Sequence, residues 1–240
     1  MSNPKPAAQP SLSSSLPLHI QISEMLTREI QAGILADGER LPPERQLATR
    51  LGIAVGTLRK ALADLESKGM LQRIQGSGNY VNNNPDVDNV YALFRLELNS
   101  GGGLPTAELL SVTKLLKPDD VPVFGQSDYG HRFRRLRKLN DITVALEEIW
   151  LDGSYTDAVD QHAISDSMYL YYKEALGFWI SKIEDHVSVA ALPKWSPTVF
   201  SESPVNAMGF IERYSTDQHG NRAEFSRTWF DPTVAHFTAR

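Results

Sequence analysis

The chain contains no cysteine. A disulfide framework and a thiolate zinc site are both excluded, and an intracellular, cytoplasmic home is the simplest reading. No apolar run approaches the roughly 20 residues that a membrane helix needs, so no membrane partner is expected. The six histidines are scattered without metal-ligand spacing. No metal and no cofactor is expected, and His162, His186 and His236 read as surface or structural residues. Positive charge is scarce as well. The formal net charge is −5, which taken alone argues against a nucleic-acid partner. The total conceals a division, because residues 1–84 hold 9 basic and 7 acidic side chains while residues 85–240 hold 15 and 22.

The sign changes just after "VNNNP", where an Asn-rich stretch and Pro85 read as a linker. A chain of 240 residues has ample length for two domains, each with its own core. The first residues, "MSNPKPAAQPSLSSS", have no apolar centre and read as a disordered leader rather than a secretion signal. The expected division is therefore a leader over 1–16, one domain over 17–82, a linker over 83–89 and a second domain over 90–240.

The first domain reads as three helices. In "PLHIQISEMLTREIQAGIL", Ile22, Met25, Leu26 and Ile30 recur at helical spacing and Gly33 is the stop. In "LPPERQLATRLGI", Pro43 suits the first helical turn, Glu44 suits its positive end, and Leu47, Ala48 and Leu51 make the buried side before Gly52. In "AVGTLRKALADLESKG", Leu58, Ala61, Leu62 and Leu65 form one stripe. Gly56, Arg59, Lys60 and Ala63 form the opposite face. The second and third helices, joined around Gly52–Ala54, make a helix-turn-helix. Small residues on the outer face let the backbone approach a DNA groove, where Arg59 and Lys60 meet phosphates or base edges.

The stretch "QRIQGSGNYV" (72–81) raises the alternative of a nucleotide-binding glycine loop. Such a loop follows a strand and opens a helix. Here the glycines lead into "NYVNNNP", which cannot start one. "MLQRI" and "NYV" instead read as two strands about a glycine tip, a wing whose backbone amides can approach DNA phosphate closely. By pattern alone a small three-helix domain with a solvent-facing hairpin remains open.

The second domain mixes strands and helices, an α+β sheet domain. "VYALFRLEL" alternates. "AELLSVTKLLK" reads as a strand, and "HRFRRLRKL" with "TVALEEIWL" as a hairpin about Asn140–Asp141. "SDSMYLYYKEALGFWI" is helical, with Ser165, Asp166 or Ser167 as cap. "KIEDHVSVAAL" is a strand or a short helix, and two further strands meet at 217–221. Along a strand, Phe133, Arg135, Arg137 and Leu139 share one face. Inward arginines need carboxylates or an anionic ligand. Of Glu147 and Glu148 one faces them, and Glu224 lies opposite Arg227 and on the side of Phe230. Spacing alone favours a surface hairpin of solvated salt bridges, with Arg134 and Glu148 in solvent. Trp150, Trp179 and Trp229 read as core.

"RLPPERQLATRLGIAVGTLRKALADLESKGMLQRIQGSGNYV" closely resembles the winged helix-turn-helix of the GntR family of bacterial transcription regulators, over roughly Leu18 to Val81. The resemblance implies DNA contacts by Arg45, Thr57 and Arg59, with the wing tip Gln75–Gly76 at the minor groove or backbone. The chain departs from the family at Ala54, Val55 and Gly56, where Ser or Thr and then Arg are usual, and at Pro43 in place of a capping serine. The missing Arg removes a bidentate guanine contact. "RRLRKLNDITVALEEIWL" and "GFIERYSTDQHGNRAEFSRTWFDP" are similar to the effector domain of the HutC subfamily, known as UTRA, over most of Val90 to the C-terminus. That likeness implies a chorismate-lyase-like antiparallel sheet with a ligand cleft holding Arg135, Arg137, Glu147, Glu224 and Ser167. Phe230 stands where some members have Tyr, and Arg95 in the first strand joins the set.

The expectation is a homodimeric, ligand-responsive DNA-binding regulator, a repressor released from a near-palindromic operator by a small anionic metabolite. Two other readings stand beside it. An enzyme would use Glu147 and Glu224 for acid–base chemistry, although no nucleophile–base pair or cofactor fingerprint accompanies them. An architectural DNA binder would fill the cleft with its own side chains.

Overall fold

The computed structural model describes residues 17–31, 33–83, 93–201 and 207–239. The expected leader, and all of the expected linker beyond Asn83, lie outside these residues.

The first domain is α1 (Leu18–Gln31), α2 (Glu44–Arg50), α3 (Val55–Ser67) and a hairpin of β1 (Leu71–Ile74) and β2 (Gly78–Val81). The stripe of α3 is its keystone. Leu58, Ala61, Leu62 and Leu65 are all at 0% exposure, and burying each leucine contributes about 1.5–3 kcal/mol. Ile22, Met25, Leu26 and Ile30 of α1 and Leu47 and Ala48 of α2 close the same core. Gly33, Gly52 and Gly69 follow the three helices with φ near +70° (71°, 66° and 71°), a conformation that ends a helix without strain only for glycine. Pro43 occupies the N-cap of α2 rather than its first turn. Helix α1 is buried on more than one side, because Gln21, Glu24 and Arg28 are buried along with its apolar residues.

The second domain is a six-stranded antiparallel sheet in the order β4-β5-β6-β9-β8-β7. Its strands are β4 (Pro105–Leu116), β5 (Tyr129–Leu139), β6 (Ile142–Asp152), β7 (Ile180–Ala190), β8 (Met208–Asp217) and β9 (Arg222–Phe230). A short pair, β3 (Leu96–Leu98) with β10 (Ala235–Phe237), packs at one end. Asn140 and Asp141 turn β5 into β6 with φ of 48° and 63°, the two positive values of the hairpin turn whose twist suits antiparallel strands. The α4 helix (Met168–Ala175) lies on one face of the sheet, its Tyr171 and Tyr172 against Phe133 and Phe178. The other face is covered by Val121 and Phe124 at one end, and by Trp195 and Phe200 of the segment leading through α5 (Thr198–Ser201) at the other.

Of the two readings of "KIEDHVSVAAL", strand is the one found, as most of the edge strand β7. Three expectations need correction. Among the described residues only Leu96–Leu98 of "VYALFRLEL" is strand, so Arg95 precedes β3 rather than lying in it. Trp179 is 52% exposed, because it sits at the turn after Gly177 and its indole faces solvent beside the edge strand. Glu148 is buried and Arg134 half-buried. They pair at 2.8 Å, with the Arg134 guanidinium over the ring of Trp195 and the Trp150 indole N–H donating to Glu148.

Candidate functional site

Two surfaces carry the chemistry. The first lies at the N-termini of α2 and α3 beside the wing. Arg45, Arg59, Lys60, Gln75 and Gly76 are exposed there and Thr57 is half-exposed. Arg59 is held, since its Nε donates to Glu44 Oε2 at 2.7 Å while its side chain keeps 65% exposure. One edge of the guanidinium is thereby oriented and the other left to solvent. The N-cap of α3 is Ala54, which makes no side-chain cap bond. The Thr57 amide already donates to the Ala54 carbonyl at 3.0 Å, so only the amides ahead of it lack an intrahelical partner. At the wing tip Gly76 takes φ 76°, and Arg40 donates to the Ser77 carbonyl, so the tip is braced against the body of the domain.

The second surface is a cleft of about 70 Å³ in the second domain. The pairing of β5 with β6 sets Arg135 opposite Glu147. Arg135 reaches Glu147 Oε2 through Nη2 at 2.7 Å, and Arg137 lies 3.7 Å from its other oxygen. Both guanidiniums also grip the chain just ahead of α4. The Asp166 carbonyl accepts from Arg135 at 3.2 Å and from Arg137 at 2.6 Å. Ser167 then caps α4, its Oγ accepting from the Leu170 amide, and brings the helix N-terminus to the cleft. Burial opposes the charge of Glu147, but Arg135 and Arg137 outweigh it and hold the carboxyl below its usual range.

Glu224 is arranged differently. It accepts from Tyr172 at 2.6 Å and Ser215 at 2.9 Å, all of them buried. Burial raises its pKa, and the neighbouring Glu147 charge adds to the rise while the hydroxyls and Arg213 only partly offset it. Burial, with the charge of Glu224, also pushes the Tyr169 hydroxyl up to about 12.

The structure gathers Arg95, Arg135, Arg137, Glu147, Ser167 and Glu224 around this one cleft. Phe230 does not line it. Its ring packs among Leu139, Val144 and Ile211, over Gly209, in the adjoining core. Sequence reasoning missed Arg213, a fourth cleft arginine on β8, bound to both oxygens of Asp185 at 2.6 and 2.8 Å. It also missed Tyr169 and Tyr172. The signal for Arg213 was present, because Ile211, Arg213 and Ser215 alternate along one face of β8 as Arg135 and Arg137 do along β5.

Among the described residues no cluster of His, Asp and Glu is placed to hold a metal, and no helix is long and apolar enough to cross a membrane.

Comparison with known proteins identifies the two domains. Residues 18–81 match the model of the bacterial regulatory proteins of the gntR family, and residues 100–234 match the UTRA domain. The HTH-type transcriptional regulator SmoD of Agrobacterium fabrum is 54% identical, over 94% of this chain and 97% of its own length. The HTH-type transcriptional repressor NagR of Bacillus subtilis is 24% identical, over 90% of each chain. The crystal structure of the possible transcriptional regulator YydK of Bacillus subtilis shares the fold with a TM-score of 0.52, at 19% identity, over 94% of this chain and 99% of that one. These relatives are regulators, which sets the enzymatic reading aside. The chain belongs to the GntR family of transcriptional regulators, in the HutC-type architecture that joins a DNA-binding helix-turn-helix domain to a UTRA effector domain.

Proposed function

We propose that the protein is a cytoplasmic, homodimeric repressor that leaves a near-palindromic operator when a small anionic metabolite occupies the UTRA cleft. The ligand class rests on one observation. Arg135 and Arg137 share one carboxylate, Glu147, in a cleft that Arg95 and Arg213 also line, Arg213 being paired with Asp185. A phosphate, phosphonate or carboxylate satisfies that imbalance, with the amides at the N-terminus of α4 beside Ser167 adding to it. Glu224 and its hydroxyl partners suit the hydroxyls of the same molecule.

DNA contact is assigned to Arg45, Thr57, Arg59, Lys60, Gln75 and Gly76, and repression follows the name of the NagR relative. Dimerisation is supported by the open edge of β7, where Val187 and Val189 are 51% and 73% exposed. The division into a leader (1–16), a DNA-binding domain (17–82), a linker (83–89) and an effector domain (90–240) is supported by a first core whose buried residues, Ile22 to Val81, all fall within 17–82.

The test is a thermal-shift screen of anionic metabolites followed by footprinting. A true effector at a hundred times its Kd adds about 2.7 kcal/mol of stability and weakens operator protection. An effector that strengthens protection overturns the release model, and a set of hits confined to neutral or cationic compounds overturns the ligand class.

A further inference from the structure

We propose that Phe94 is the joint through which occupancy of the cleft reaches the DNA-binding domain. The inference rests on the reading of the cleft as an anion site and adds the route by which that site acts.

The ring of Phe94 is shared by two cations from different domains. The guanidinium of Arg137, a cleft residue, stands 4.5 Å from its centroid, and that of Arg28, on α1, stands 5.8 Å away. Leu93, the neighbouring residue, gives its carbonyl to Nη1 of Arg213 at 2.5 Å. Leu93, Phe94 and Arg95 thus form a strap along the cleft wall, fastened by two of the cleft arginines. The strap meets α1 through Phe94, and Arg28 fixes α1 further by donating to the Gly103 carbonyl at 3.1 Å. Leu104 packs into the core of the first domain beside it. This second partner accounts for the burial of Arg28, whereas Ser23 and Glu24 find theirs within the first domain.

From α1 the route continues to α3. Ser23 donates to Asp64, and Lys68 bridges Glu24 at 2.5 Å and Asp64 at 2.8 Å. Two contacts therefore link a cleft arginine to α1, and the Ser23–Asp64 and Glu24–Lys68 contacts carry α1 on to the helix that holds Arg59. An anion on Arg137 competes with the aromatic face for the guanidinium, and one on Arg213 competes with the Leu93 carbonyl. Either competition loosens the strap from the effector side and frees Phe94 from Arg28. By linkage, DNA that fixes α1 weakens the anion in return.

The absence of cysteine makes the test direct. Spin labels at Glu66→Cys on α3 and Glu174→Cys on α4 report the distance between domains in the full-length chain, diluted with unlabelled protein. Without ligand, Phe94→Leu and Arg28→Met each broaden the distance distribution, and the double variant broadens it no further. If neither single variant alters it, the proposal fails whatever the ligand is. Inorganic phosphate is the probe in the second arm, with chloride at equal ionic strength as control. Phosphate shifts the parent distribution toward the broadened one and leaves Phe94→Leu unmoved, while Arg28→Met, outside the cleft, changes the phosphate Kd by about fivefold. Phosphate that binds, as judged by a thermal shift lost in Arg137→Gln, without moving the distribution overturns the joint and spares the anion reading. Phosphate that does not bind counts against the anion reading, and the ligand-free arm still decides the joint.

Discussion

Arg135 and Glu147 stand directly opposite each other on β5 and β6 and meet at 2.7 Å, with Arg137 sharing the same carboxylate at 3.7 Å. One carboxylate is therefore shared by two guanidiniums that are 4% and 2% exposed. Stability is expected to respond unequally to the two partners. Glu147→Leu leaves two buried cations facing each other and costs about 3–5 kcal/mol, the range for breaking a buried pair. Arg135→Leu costs less, because Arg137 still faces Glu147. Urea unfolding at neutral pH measures both, and added phosphate recovers part of the loss in Glu147→Leu only.

Glu224 sets a pH dependence of the opposite sense. Its carboxyl titrates above the ordinary range in the folded chain, chiefly through burial. The folded state therefore holds this proton more tightly than the unfolded one, and the resulting stability is full below the usual carboxylate pKa of about 4.3 and is lost as pH rises through the raised value. Glu224→Gln, which stays neutral, is expected to gain on the parent protein as pH rises and to lose that advantage as pH falls. Paired thermal melts across acidic to neutral pH check the trend.

The proposed DNA contacts separate readout from attraction. Arg59 is oriented by Glu44 and is assigned, in that proposal, to a base edge, whereas Lys60 is exposed on the outer surface of α3 and is assigned to phosphate. Lys60→Ala is expected to lower the slope of log affinity against log salt by about 1 and to weaken all duplexes alike. Arg59→Ala costs about 1–3 kcal/mol on the operator and much less on unrelated duplex. Glu44→Gln loses discrimination more than affinity. Fluorescence anisotropy titrations at several salt concentrations distinguish the three.

Gly209 faces Phe230 across the β8–β9 ladder, and a Cβ placed there would lie 2.1 Å from the phenylalanine ring. Gly209→Ala is expected to destabilise the effector domain by about 1–3 kcal/mol, the usual cost of overpacking. Adding Phe230→Leu relieves the collision, so the double variant is more stable than the sum of the single effects. Chemical denaturation of the four proteins of the cycle measures the coupling.

The parts legible in the sequence were those governed by local pattern. The stripe from Leu58 to Leu65, the glycines after each helix, and the Asn140–Asp141 turn each follow from a few neighbouring residues. The opposition of Arg135 to Glu147 does not follow from that turn alone, because a bulge between Arg137 and Lys138 shifts the register by one residue and brings Glu147 rather than Leu146 opposite Arg135. Features that depend on distant segments were hidden. The contact of β6 with β9 joins strands some 80 residues apart, and nothing local announces it. Glu148 and Arg134 looked solvated because the cover over them, Trp195 and its segment, has no periodicity of its own. Phe230 shares a strand face with Glu224 but lies beyond the cleft, a distinction that needs the position of Gly209. Arg213 was readable by alternation and went unread because Asp185, the acid that justifies burying it, is on a separate strand.

The strap of Leu93, Phe94 and Arg95 has a kinetic corollary. The space it walls, about 70 Å³, falls well below the roughly 300–1,000 Å³ of ordinary metabolite pockets. We expect a larger metabolite to enter only as this wall yields. Uptake should then level off as concentration climbs, at a ceiling set by how often the protein opens rather than by how often the two molecules collide.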